Sequence, residues 1–302
     1  MRVAVIGAGA LGTFFAARLA AAGHEVGVVA RGGRLAAIRQ RGLRLVLGDA
    51  PITLVVPAAE DLTALPPPEL AIIATKTADL SAAIALLAHC TGAGSAVLTV
   101  QNGVEAPDAV AAALPAAHVL AGRVHGFFEL TGDIVRHVGV TPSLAFGPWR
   151  ADAADAADQL EVVLTGAGIA WERPAGIAAA LWEKLVLASS IGGIGAVLGL
   201  PTGAILNDAA HAALLEGMMR EVAAVAAARG VTLTADCVKR TLAFVGSFPE
   251  CATSSLQRDL LAQRPSEFAA LTGAIPRLAA AAGVAVPLHD TVISRLRAQG
   301  LV

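Results

Sequence analysis

Apolar residues open the chain as a short run at residues 2–6 (RVAVI) that stops at Gly7, and residues 10–22 then supply good helix formers up to Gly23. A β-branched run ended by glycine, followed by helix formers stopped by glycine, predicts strand, turn, helix. Residues 26–29 predict a second strand, and 70–74 and 96–100 two more, each followed by a helix-compatible segment. Strands alternating with helices pair in parallel and predict a doubly wound sheet. The pattern changes at 127–138, where Thr131-Gly132-Asp133 sits between two extended runs and predicts a hairpin that adds antiparallel strands. A helix over 152–165, a short strand over 169–171 and the Arg173-Pro174 step close this half. From Gly176 onward the pattern is helical. Asn207 or Asp208 can cap a helix that stops at Gly230, Ser254 one that runs to about Gln263, and Ser266 one that ends before Gly283. The fold class expected is therefore α/β: an N-terminal Rossmann dinucleotide-binding domain over 1–174 with a mostly parallel sheet, followed by an all-helical domain over 175–302.

Composition sharpens this picture. At 302 residues the chain is long enough for two domains, and with 56% hydrophobic and 15% charged residues it builds packed cores rather than disordered tracts. Mean hydropathy is +0.67, but the apolar run at 185–200 is 16 residues and carries four glycines, short of the roughly 20 that span a bilayer, so a buried helix is expected there. Arg18 interrupts the first apolar stretch and His24-Glu25 follow without a cleavage site, so no targeting segment is read. Twenty-two Lys and Arg against 24 Asp and Glu leave a net charge of −2, which argues against nucleic-acid or membrane-surface partners. Cys90, Cys237 and Cys251 are widely spaced and form no CxxC pair, which fits a reducing, cytoplasmic setting. The seven histidines show no ligand spacing with Cys or carboxylates, so no metal site is expected.

Gly7-Ala8-Gly9-Ala10-Leu11-Gly12 is GxGxxG directly after the first strand and at the opening of the first helix. Gly7 permits the tight turn, Gly9 lets backbone approach a pyrophosphate, and Gly12 allows close helix–strand packing, while the helix N-terminus offers N–H groups to the phosphates. At the end of the second strand an acidic residue would accept from a ribose 2′-OH, whereas arginine suits a 2′-phosphate. Here Val28-Val29-Ala30-Arg31-Gly32-Gly33-Arg34 offers Arg31, with Arg34 as an assistant, and Glu25 lies too early to reach the ribose, so NADP(H) is expected. The plainer reading is a pair of solvated arginines.

Lys184 lies in the apolar stretch Leu181-Trp182-Glu183-Lys184-Leu185, where a desolvated amine can donate a proton to a forming alkoxide; the alternative is a Glu183/Lys184 pair on an exposed helix edge. Glu267 follows Ser266 at an expected helix start, which the helix dipole alone would favour. Asn102 and Lys76 follow the carboxyl ends of expected parallel strands, where open α/β sheets bind ligands; turn chemistry would account for them equally well.

Taken together the residues resemble the ketopantoate reductase (2-dehydropantoate 2-reductase) family over nearly the whole chain. The likeness rests on the glycine turn, Thr75-Lys76-Thr77, Gln101-Asn102-Gly103, His125-Gly126, Gly139, Trp182-Glu183-Lys184-Leu185, Thr253-Ser254-Ser255-Leu256-Gln257-Arg258-Asp259 and Glu267. The resemblance implies NADPH-dependent reduction of a 2-keto acid to a 2-hydroxy acid in a cleft between the two domains, with ketopantoate the best single named substrate. It implies Lys184 as general acid, Glu267 holding the substrate hydroxyl, Ser255 at the substrate carboxylate, and Asn102 and Lys76 between nicotinamide and substrate. The cofactor set is then Gly7, Gly9, Ala10, Leu11, Gly12, Arg31, Lys76 and Asn102. Three positions depart from the family: Ala188, Gly192 and Ala252 stand where asparagines are usual. With 184, 188 and 192 on one helix face, the expectation is a less polar site that takes a bulkier or more apolar carbonyl compound, unless Ser189 or Ser190 restores the contacts. A different dehydrogenase on the same plan and a non-catalytic NADPH sensor are the competing readings, and the apolar helical half allows a homodimer.

Overall fold

The computed structural model describes residues 1–92 and 94–302. It forms two compact units, one of Met1–Gln101 with Glu105–Ile177 and one of Asn102–Val104 with Ala178–Val302.

The first unit begins with β1 (Arg2–Ile6), α1 (Ala10–Ala21), β2 (Glu25–Val29), α2 (Gly32–Arg41), β3 (Leu43–Leu47), β4 (Ala50–Leu54) and β5 (Ala58–Ala59). It continues with β6 (Leu70–Ile73), α3 (Leu80–Leu87), β7 (Ala96–Thr99), α4 (Ala106–Ala113), β8 (His118–Thr131), β9 (Ile134–Pro148), α5 (Ala154–Gly166) and β10 (Ala170–Glu172). One sheet runs β4-β3-β9-β8-β7-β6-β1-β2-β5, with β10 beside β9. Neighbours from β8 through β2 are parallel, while β8 and β9 form the antiparallel hairpin expected around Gly132-Asp133. A strand covered on both faces is apolar at every position, and its period of two splits the side chains between two layers. Val3 and Val5 accordingly pack with Phe14, Phe15 and Leu160 from α1 and α5, whereas Ala4 and Ile6 join Leu87 and Val110 from α3 and α4.

Two features of this unit lay outside the sequence pattern as read. Residues 43–54 form a second hairpin, β3 and β4, around Gly48-Asp49, and β3 joins the sheet by parallel pairing with β9. The long β8–β9 ribbon also carries an irregularity between His125 and Phe127, where Gly126 has φ +134°.

The second unit is built from α6 (Ile177–Leu198), whose first residue belongs to the other unit, then α7 (Thr202–Asn207), α8 (Ala209–Ala228) and α9 (Cys237–Gly246). The helices α10 (Ser255–Leu261), α11 (Ala274–Ala282) and α12 (Pro287–Ala298) complete it, with no strand among its described residues. By length and composition α6 is apolar enough to cross a membrane, but 67% of its most apolar window is buried inside the fold. Its glycines explain how so central a helix is covered. A Cβ at Gly192 would lie 2.8 Å from Leu256, one at Gly193 2.8 Å from Thr272 and one at Gly195 2.5 Å from Gln257, so the three together admit α10 and the chain before α11 to backbone distance.

Caps read from sequence recur at α8 and α10. Asp208 accepts from the N–H groups of Ala210 and His211, and Ser254 Oγ accepts from Gln257 N at 3.0 Å. The helix expected from Ser266 is instead broken: a 3-10 turn at Phe268–Ala270 precedes α11, which starts only at Ala274. Pro276 is the reason, because inside a continuous helix its missing N–H and its ring would disrupt the turn before it, whereas at the third position of α11 no intrahelical donor is needed.

α12 is held to α8 by a buried ionisable pair. Glu221 accepts from Leu288 N at 2.7 Å and from His289 N at 3.0 Å, and lies 2.7 Å from Nδ1 of the fully buried His289. Burial pushes the Glu221 carboxyl up, but the hydrogen bonds from His289 and the two backbone N–H groups outweigh it and hold the group below its ordinary range. A carboxyl depressed in the folded state gives stability that is complete above its unfolded value, near 4.3, and is lost as pH falls through the folded value. Glu221→Gln should therefore lower Tm at pH 7, by an amount corresponding to about 2 kcal/mol, and flatten the acid limb of Tm against pH. An unchanged acid limb would show that the pair does not carry this dependence.

Candidate active site

The order of strands places the glycine turn. The chain leaves β1 for β2 on one side and β6 lies on the other, so the crevice of an open α/β sheet falls at the carboxyl ends of β1 and β6. Gly7 and Thr75 emerge there and touch: Gly7 has φ +98°, and a Cβ on it would lie 2.8 Å from Thr75 N. Gly7 N donates to Val29 O at 3.0 Å, closing the turn over β2. A Cβ on Gly12 would stand 1.8 Å from Gly7 O, so only glycine lets α1 start this close to the strand. Gly9 is different in kind. It is exposed, with nothing within 4 Å of where a side chain would begin, and it caps α1, on whose first turn Ala10 and Leu11 sit.

These residues fit a dinucleotide. The turn leaves open space at Gly9 in front of a helix N-terminus. Beyond β7, Gln101 is buried, its Nε2 reaches Thr75 Oγ1 only at 3.5 Å, and its Oε1 has no partner among the described residues. One end of a buried amide at the sheet's carboxyl edge thus awaits a hydrogen-bonding group. Lys76 is exposed immediately after Thr75, at the cap of a 3-10 turn.

Arg31 and Arg34 separate. Arg31 is exposed at the cap of α2, and its side chain makes no hydrogen bond or ion pair among the described residues. Glu25 sits opposite Arg2 in the β1–β2 register, at the other end of β2, six residues or about 20 Å of strand away. Arg34 turns inward: Nε donates to Ala8 O at 2.8 Å, Nη1 to Asp133 O at 3.0 Å and Nη2 to Thr13 Oγ1 at 2.7 Å. Burial lowers its guanidinium below the usual range, with Asp133 acting against that. Expected as an assistant to Arg31, it is spent on the protein.

In the helical unit the structure joins two of the expected residues. Asn102 Nδ2 donates to Glu267 Oε2 at 2.6 Å across 165 positions of sequence, both side chains part-buried. Gly103, at φ +93°, allows this approach, since a Cβ there would be 2.9 Å from Ala270 O. Glu267 itself precedes the 3-10 turn rather than opening a long helix.

Lys184 is half-buried on α6. Its neighbour Glu183 accepts from Arg240 Nη2 at 2.9 Å, so the Glu183 charge has a cation of its own in α9. A link from α6 to the Glu267 segment was not visible in the sequence: Thr272 Oγ1, fully buried, donates to Ser189 O at 2.6 Å.

Ser255 is exposed at the first position of α10, just past the capping Ser254. Of the departures from the family, Gly192 does not open space, because Leu256 fills it; Ala188 and Ala252 are half-buried. Ser189 Oγ donates to Leu185 O at 2.7 Å and is thereby occupied, and Ser190 Oγ is buried without a partner among the described residues.

Comparison with known proteins agrees with both halves of this description. Residues 3–151 match the family model "Ketopantoate reductase PanE/ApbA" and residues 176–300 match "Ketopantoate reductase PanE/ApbA C terminal". The 2-dehydropantoate 2-reductase of Halobacterium salinarum is 31% identical over 98% of this chain and 98% of its own. The crystal structure of a PanE/ApbA family ketopantoate reductase from Ralstonia eutropha superposes with a TM-score of 0.88 at 31% identity, covering 98% of this chain and 97% of that one. The fold is shared more widely: D-mandelate dehydrogenase with NADH and anilino(oxo)acetate has a TM-score of 0.89 at 22% identity, over 100% of this chain and 99% of that one. The chain belongs to the ketopantoate reductase family and is an oxidoreductase.

Proposed function

We propose that this protein reduces a 2-keto acid to the 2-hydroxy acid with NADPH, with ketopantoate as the leading substrate and Lys184 as the general acid. The observation that carries the reading is the Asn102–Glu267 hydrogen bond, which draws two polar residues far apart in sequence into one constellation on the unit that also bears Lys184. Relatives named 2-dehydropantoate 2-reductase that align end to end with the chain support the substrate.

NADPH, when bound, supplies the hydride that reaches the keto carbon. The chain's own residues do the rest. Gly7, Gly9, Ala10, Leu11 and Gly12 present backbone to the pyrophosphate, and Arg31 selects the 2′-phosphate by a charge-assisted contact that a 2′-OH does not offer. To Lys76 and Asn102 we assign the polar contacts between nicotinamide and substrate that the family likeness implies. Negative charge that develops on the keto oxygen is met by the Lys184 ammonium, which stabilises it and then gives up a proton, so the carbonyl gains one hydride, at the expense of NADPH oxidised to NADP⁺, and one proton, which leaves Lys184 as a neutral amine to be reprotonated from water before the next turnover. Glu267, held by Asn102, orients the hydroxyl that forms, and Ser255 at the start of α10 binds the substrate carboxylate. Because Leu256 occupies the space left by Gly192, any extra room for a bulkier acid comes from Ala188 and Ala252.

NADPH oxidation with ketopantoate and with branched or aromatic 2-keto acids tests the reading. Turnover of at least one 2-keto acid, with the 2-hydroxy acid recovered as product, is expected. Tight NADPH binding with no turnover of any member of the panel would favour the sensor reading.

A further inference from the structure

We infer that Arg34 is a positioning residue for the cofactor turn, which acts by fixing the direction of the Gly9 N–H rather than by touching the 2′-phosphate. The peptide between Ala8 and Gly9 is planar and trans, so the Ala8 carbonyl and the Gly9 N–H point in opposite directions. Arg34 Nε holds that carbonyl at 2.8 Å, with Thr13 Oγ1 donating to the same oxygen at 3.4 Å. The Gly9 N–H is thereby aimed away from Arg34, and it makes no hydrogen bond among the described residues while standing at the open, exposed point of the turn.

The anchor is rigid for identifiable reasons. Arg34 sits at the third position of α2, and its two remaining nitrogens grip Thr13 Oγ1 in α1 and Asp133 O in the β8–β9 turn. Thr13 is fully buried. Asp133 is fixed in turn, its carboxylate accepting from Arg41 Nε at 2.5 Å and Arg44 Nη1 at 3.2 Å. A planar fork with three separate acceptors is a geometry that lysine does not reproduce. Without Arg34 the Ala8–Gly9 peptide loses its hold on the carbonyl side, and the pyrophosphate must itself pay to order the N–H that binds it.

The inference rests on the reading of this turn as a dinucleotide site, and the test separates the two. Dissociation constants for NADPH and NADH are measured by fluorescence titration of the intact protein and of Arg34→Gln, Arg34→Lys, Thr13→Val and Arg31→Ala, with kcat at saturating NADPH alongside. Arg34→Gln and Arg34→Lys should each raise both constants by a similar factor, about tenfold, with kcat within about twofold of the unmodified protein. Thr13→Val, which keeps Arg34 but removes one of its acceptors, should move both constants in the same direction by a smaller factor, and it stands in if the Arg34 variants do not fold. Arg31→Ala should weaken NADPH alone. Weakening of NADPH only by Arg34→Gln, full rescue by lysine, or unchanged constants in the Arg34 variants, or in Thr13→Val where those do not fold, would overturn the role given to Arg34. Failure of the unmodified protein to bind either cofactor would overturn the dinucleotide reading itself.

Discussion

Replacing Lys184 by methionine is expected to lower kcat for 2-keto acid reduction by about 10²- to 10⁴-fold while the NADPH dissociation constant changes less than about twofold. The magnitude is that of a lost general acid, about 3 to 5 kcal/mol of barrier. Methionine keeps the length and apolar stem of the side chain and removes only the charge and the proton, so the fold should survive the change. Three features isolate the effect to chemistry. Lys184 is half-buried on a helix whose close approaches to its neighbours fall at Gly192, Gly193 and Gly195. Glu183 beside it already pairs with Arg240, so losing the lysine leaves that carboxylate compensated. The cofactor's phosphates are read at the glycine turn and Arg31, and Lys184 is not among the residues assigned to hold them, so cofactor affinity should be spared. Steady-state and single-turnover absorbance of NADPH would measure both quantities. A methionine variant with near-normal kcat would remove Lys184 from the mechanism.

Arg31→Asp should reverse the choice of cofactor. Loss of one charge-assisted contact costs about 1.5 to 3 kcal/mol, and the new carboxylate repels a 2′-phosphate while accepting from a 2′-OH. We expect kcat/KM with NADPH to fall at least about 10²-fold and that with NADH to stay level or rise. Because Arg31 is exposed, the preference for NADPH in the unmodified protein should also weaken as salt is raised. Equal losses with the two cofactors would place Arg31 at the pyrophosphate or in a structural role instead.

What the sequence made legible was local. The strand, glycine turn and helix at the start are written in adjacent residues, because Gly7 and Gly12 are dictated by contacts within the turn itself and with Thr75. Asp208 and Ser254 were legible as caps for the same reason, each bonding N–H groups two or three residues ahead. Arg34 was not, since nothing in Arg31-Gly32-Gly33-Arg34 says which arginine turns inward; Thr13 and Asp133, which decide it, lie 21 and 99 positions away. The same holds for Gly192. Read along the helix it was a lost polar contact, but Leu256 from another helix fills the space, so a gap in one-dimensional pattern became close packing in three. Two misses did leave local signals: Pro276 marked the break before α11, and Gly48-Asp49 between extended runs marked the β3–β4 hairpin. Thr272 left none, because a threonine bonded to a distant backbone carbonyl has no sequence signature.

The most direct test is a crystal structure of the protein with NADP⁺ and pantoate bound. Lys184 Nζ is expected within hydrogen-bonding distance, about 2.6 to 3.2 Å, of the hydroxyl oxygen derived from the keto group, with Glu267 on the same hydroxyl. Lys184 Nζ turned to bulk solvent, with another side chain on that oxygen, would contradict it.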